Sequence, residues 1–94
     1  MSTMSGQTAV ITSPAVSTTS ATVLTERGTR NMWFVFNATA AILYLRFGTA
    51  PASSTDYSVQ VPAGGYYECP VPVYGGRVTG ILASGSGNVQ VTAW

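Results

Sequence analysis

The chain has 94 residues, 46% of them hydrophobic, and carries seven charges, four Arg and three acids, with no Lys and no His, for a formal net charge of +1. The four arginines are scattered at 27, 30, 46 and 77 and cannot neutralise a run of phosphates, which argues against a nucleic-acid partner. The missing His removes the usual base for nucleophilic catalysis, and one Cys without His makes no zinc site, so neither an enzyme nor a metal protein is expected.

Charged residues are 7% of the chain, against roughly 25% in an ordinary soluble domain. Ser, Thr, Gly and Ala must cover the surface instead. That cover suits a protein packed against copies of itself or a larger assembly, where charges would have to be desolvated. The length allows one domain with a modest core. Cys69 has no second cysteine to pair with in the chain and is expected as a buried thiol.

In chain order, residues 1–19 are dominated by Ser, Thr, Ala and Gly around Pro14, without a periodic apolar face. They are expected as a flexible or extended arm, anchored on a neighbour through Val10 and Ile11. No charged start leads into an apolar run, so no signal peptide is read. Residues 20–94 alternate with period 2, broken by turn residues about every ten positions, which predicts one β-sandwich domain.

Ala21 to Glu26 is the first expected strand, turning through Arg27, Gly28 and Thr29. Arg30 to Asn37 follows, with Met32, Phe34 and Phe36 on one face and Trp33 and Val35 on the other. Being apolar on both faces, it is expected to be central or covered by another chain. Ala41 to Phe47 places Ala41, Leu43, Leu45 and Phe47 inward. The stretch from Met32 to Phe47 is broken by Asn37, Thr39 and Arg46 and is shorter than the ~20 residues of a spanning helix, so a soluble protein acting in a cytoplasm is expected.

Gly48 to Asp56 is a loop, Tyr57 to Val61 a half-buried strand, and Pro62 to Gly65 a tight connection to a strand over Tyr66 to Cys69. Pro70 and Pro72 mark an edge or a crossover. A closing hairpin is predicted from Arg77 to Ala83, through Ser84 to Gly87, and back along Asn88 to Trp94, with Val89, Val91 and Ala93 on one face. The count is about seven strands: an all-β, single antiparallel sandwich, jelly-roll-like, with an N-terminal arm.

Glu68 and Cys69 are neighbours on a strand and point to opposite faces, so they form no catalytic pair. A carboxylate dyad would have to come from Glu26, Asp56 and Glu68, which are better explained as turn or edge residues. The paired glycines lie at strand breaks and open no helix, so they are turn residues and not phosphate loops. Asn37-Ala38-Thr39 fits the N-glycosylation acceptor pattern, but without a secretion signal it is discounted. Trp33, Tyr44, Tyr66, Tyr74 and Trp94 remain as candidate interface anchors, joined by Val10 and Ile11. A sugar-stacking platform is the alternative use of such aromatics.

Ile42-Leu43-Tyr44-Leu45-Arg46-Phe47-Gly48, the Tyr57 to Val61 strand, Gly64-Gly65-Tyr66-Tyr67-Glu68, and Gly80-Ile81-Leu82-Ala83-Ser84 through Val91-Thr92 resemble a succession in small virion proteins of tailed bacteriophages. The likeness covers roughly residues 30–94. It implies a β-sandwich head decoration, or cement, protein on the capsid surface, assembled in the host cytoplasm. It would clamp neighbouring capsomers as a homotrimer with the major capsid protein as partner and no cofactor, membrane or small-molecule substrate. A tail, neck or fibre component and a carbohydrate-binding module are the alternatives.

Overall fold

The computed structural model describes residues 9–94, which contain ten strands and no helix: β1 (Val10–Thr12), β2 (Ala15–Ser17), β3 (Ala21–Leu24), β4 (Trp33–Phe36), β5 (Leu43–Phe47), β6 (Val59–Val61), β7 (Tyr66–Glu68), β8 (Val78–Leu82), β9 (Ser86–Asn88) and β10 (Gln90–Ala93). All pairings are antiparallel, and five of them are nested: β1 with β10, β2 with β9, β3 with β8, β4 with β7, β5 with β6. The numbers of facing residues add up to between 101 and 104 along the whole length. The chain is therefore one long ribbon doubled back on itself near residue 52, in the loop between β5 and β6.

Two further pairings, β10 with β4 and β5 with β8, fold the ribbon into sheets ordered β1-β10-β4-β7 and β3-β8-β5-β6, with β2-β9 as a separate pair. Alternation in each strand supplies one core. Leu43 and Leu45 are fully buried, and so are Val78 and Val35. The two four-stranded sheets meet through aromatic rings: Trp33 of β4 stands edge-on to Phe47 of β5 at 5.6 Å, and Phe47 stacks on Tyr74 at 4.9 Å. Gly80 sits where an added Cβ would lie 2.7 Å from Val23 Cγ2, so β8 has a glycine in the core because β3 packs against that spot.

Ten strands stand where about seven are expected. Two of the extra strands lie on residues 10–17, which are extended as an arm would be but pair with the chain's own β10 and β9. Their register is continuous, interrupted only at Ser13 and Pro14, because Pro has no N–H to give the ladder. Side chains bridge the gap: Asn88 Nδ2 donates to Ser13 O at 2.7 Å and Gln90 Nε2 to Ser13 Oγ at 2.6 Å. Val16, 2% exposed, enters the core.

The expected closing hairpin does not form. Both edges of β8 are taken by β3 and β5, so the chain leaves that sheet through Ser84 and Gly85, the latter at φ +70°, and β10 pairs with β4 in the other sheet. β9 forms on Ser86 and Gly87, expected in the turn, and on Asn88, expected in the returning strand.

Asn37, fully buried, ties the sheets together at the end of β4. Its Nδ2 donates to Ala41 O (2.8 Å), Val61 O (2.9 Å) and Pro62 O (3.2 Å), while its Oδ1 accepts from Thr39 N (3.0 Å) and Thr39 Oγ1 (2.7 Å). Its backbone N–H donates to Gly65 O, and its carbonyl accepts from Gly64 N. The acceptor Asn37 of the glycosylation-type tripeptide is thus buried with its amide engaged, out of reach of a modifying enzyme, although Ala38 beside it is exposed.

Asn37→Ala leaves these buried acceptors unpaired and is expected to cost about 2–3 kcal/mol, read as a lower urea midpoint at unchanged slope. Val16→Ala is expected to cost about 2 kcal/mol, whereas Ile11→Ala, at a side chain 69% exposed, should stay within about 0.5 kcal/mol. Equal losses at both positions would show that residues 10–17 do not dock as described.

Candidate functional site

The seven expected anchors fall into different places. Trp33 is 0% exposed, and its Nε1 donates to Tyr74 O at 3.0 Å, so it is a core residue and cannot anchor a partner. Tyr74 is half-buried, stacked on Phe47 as part of the same cluster. Tyr44 lies on the outer face of the second sheet, 4.9 Å from Tyr57. Val10 and Trp94 line a groove beside β1, and Ile11, Tyr66 and Trp94 again border the outer face of the first sheet.

That outer face is built by register. Ile11, Thr92, Phe34 and Glu68 form one row across β1, β10, β4 and β7; Gln90, Phe36 and Tyr66 form the next. Trp94 continues the face, edge-on to Phe34 at 6.4 Å. Tyr66 and Ile11 are each 69% exposed and Phe36 39%. Glu68 is the one charge in these rows. The face mixes aromatic and aliphatic side chains with Thr92, Gln90 and a single charge, and among the described residues Ile11 and Tyr66 on it stay largely exposed.

The other sheet is treated differently. Loop 48–58 folds over its outside: Thr79 Oγ1 donates to Ala50 O at 3.0 Å, Ala52 N donates to Ser20 Oγ at 3.1 Å, and Ala52 is buried. Arg46 Nε meets Asp56 Oδ2 at 3.1 Å on the same side. Among the described residues, loop 48–58 covers part of this outer face, whereas Ile11 and Tyr66 on the other stay exposed.

Phe34 and Phe36 belong to this face although neither stands among the expected anchors. β4 is apolar on both sides, so periodicity alone does not say which side is in. The inner parity, Trp33, Val35 and Asn37, even includes a polar residue, which is admissible only because the Asn37 amide finds its partners elsewhere in the chain.

A second feature is a groove of about 830 Å³ between the edge strands β1 and β3. Val10, Val91, Ala93 and Trp94 line it on one side and Val23 and Leu24 on the other, with Arg27 and Arg30 beyond the end of β3. Arg30 is 8% exposed; its Nη2 donates to Thr25 O at 2.5 Å, and its Nε is buried without a partner. Burial pushes the Arg30 guanidinium below its ordinary pKa, the Arg27 charge adds to that, and Cys69 opposes it. Burial likewise raises the Tyr67 phenol, with Cys69 contributing.

The candidate acids do not converge. Asp56 is in the ion pair with Arg46, Glu68 is on the outer face, and Cys69 is 1% exposed on the inner side of the same edge. Among the described residues no group of three His, Cys, Asp or Glu could hold a metal ion, and no helix is long and apolar enough to cross a membrane. Scans against protein-family models, curated proteins and solved structures find no match to this chain.

Trp33→Ala should behave as a core truncation, costing about 3–5 kcal/mol in chemical unfolding, while Tyr66→Ala leaves stability within about 0.5 kcal/mol. A stable, fully folded Trp33→Ala protein would contradict the burial described.

Proposed function

We propose that this chain is a structural assembly protein: a jelly-roll β-sandwich that decorates the capsid of a tailed phage, as a trimer clamping neighbouring capsomers of the major capsid protein. The observation that carries the reading is the exposed outer face of β1, β10, β4 and β7, with Ile11, Phe34, Phe36, Tyr66 and Trp94 on it. Strand order supports it too. With the β2–β9 pair set aside, the eight remaining strands run 1-8-3-6 in one sheet and 2-7-4-5 in the other. A doubled ribbon wrapped into two sheets takes this order, and such jelly rolls recur in viral capsid and lectin domains.

Magnitude favours many weak contacts over one strong one. Four strands about 4.8 Å apart and rows of three to four residues give a face of roughly 250 Å². Buried on both partners, it contributes about 12 kcal/mol gross, against an association cost of roughly 4–15 kcal/mol. Such a face barely holds one pair, and it falls below the roughly 800 Å² per partner of a stable complex. In a shell each copy is held by several neighbours at once, so small faces suffice, and their free energy appears only in the assembled state. With Glu68 as the sole charge in the rows, attachment depends little on salt.

The test is quantitative mass spectrometry of purified particles with sedimentation of the free protein. Copy numbers comparable to the shell protein, and a species three times the 9.8 kDa chain mass, are the expected result. Phe36→Ser with Tyr66→Ser should fold normally yet be lost from particles. A handful of copies would move the protein to the tail or neck, and absence from particles would overturn the reading.

A further inference from the structure

The groove between β1 and β3 is chemically unlike the outer face. It holds two arginines and no acid among the described residues. Arg30 is nine-tenths buried and has no carboxylate partner; the ion pair among the described residues is Arg46 with Asp56, on the far side of β5. A buried guanidinium is costly without a paired anion, and here its Nε has no partner of any kind. Neutral carbonyls, Thr25 O and more distantly Gly76 O, are what it has.

The walls of the groove add a second constraint. β1 and β3 are both terminal in their sheets, so each presents a row of backbone N–H and C=O groups that an extended segment can pair with. Val10 lies on the core side of its strand, opposite Ala93, yet is 47% exposed. That apolar inner surface is therefore open at the groove. Its volume falls within the range of ligand-binding clefts.

We infer that this groove receives an extended segment of another chain, paired to an edge strand, with small apolar side chains against Val10, Val91 and Ala93 and an acidic side chain directed at Arg30 and Arg27. The inference is independent of the outer face and of the capsid reading. A carboxylate in the groove supplies the charge that Arg30 and Arg27 lack and is held by charge-assisted contacts at that end. Strand alternation then places apolar residues two positions to either side of the acid, facing the same wall.

The probe is the capped peptide Ser-Val-Thr-Glu-Thr-Val-Ser against its glutamine counterpart, each titrated into the full-length, amide-labelled protein and followed by NMR. The expected result is shifts at the amides of Val10–Thr12 and Ala21–Leu24, with the glutamate peptide bound about tenfold tighter than the glutamine one. That advantage should shrink in roughly 0.5 M salt and in Arg27→Gln, whose exposed side chain is dispensable for folding. Arg30→Gln should abolish it, and Arg27→Gln decides the matter if that variant fails to fold. Val10→Glu, which places an acid of the chain itself in the groove, should block the peptide. Equal affinity for both peptides, or shifts confined to the outer face, would overturn the inference. Hexanoate binding as tightly as the glutamate peptide would make the groove a small-carboxylate site and overturn it equally.

Discussion

The Asn37 carboxamide closes the seam between the two sheets. One side chain just after β4 donates to carbonyls leading into β5 and at the end of β6 and accepts from Thr39 in the turn between β4 and β5. Only two hydrogens serve three acceptors, so the contact to Pro62 O, the longest at 3.2 Å, is shared. The arrangement fixes where β4 ends, how the ribbon turns into the second sheet, and which side of β4 is inside. Trp33 and Val35 face the core because they share parity with Asn37. The Trp33–Phe47–Tyr74 cluster, and with it the packing of sheet on sheet, depends on that choice.

From that choice follows the difference between the two outer faces. With Trp33 inside, Phe34 and Phe36 must be outside, since a strand cannot bury both sets against the same core. The second sheet meets the same difficulty at Thr79 and solves it with loop 48–58. Among the described residues, Ile11, Phe36 and Tyr66 of the first sheet stay exposed. Exposed aromatics there are the result of topology as well as composition, and the patch is interrupted by only one charge, Glu68, beside the neutral Thr92 and Gln90.

Much of the fold was legible in the sequence. The inward set of β5, Leu43 and Leu45, and that of the last strand, Val89 and Val91, follow from period 2, and both are buried. What period 2 cannot supply is pairing. Residues 10–17 carry no periodic apolar face, and their pairing with β9 and β10 is specified by partners about seventy to eighty residues away. The closing hairpin failed for the related reason that β8 already had two neighbours, a fact of the sheet and not of the segment. Of the expected anchors, Ile11, Tyr66 and Trp94 lie on the exposed face, whereas Trp33 is in the core, since β4 is apolar on both sides and period 2 does not say which side is in. The groove had no local signal, since Val10 and Arg30 are brought together only by the fold.

The nested pairing also sets how the molecule responds to force. β1 and β10 are antiparallel partners at the open end of the doubled ribbon. Tension applied through Val10 and Ala93 peels the ladder one hydrogen bond at a time instead of shearing many at once. The same strands offer high resistance when pulled along their length from opposite ends of the ribbon, near residue 52 and near Val10. Load brought in along the ribbon is thus shared across the ladder, while load at its open end is released by stepwise fraying of β1.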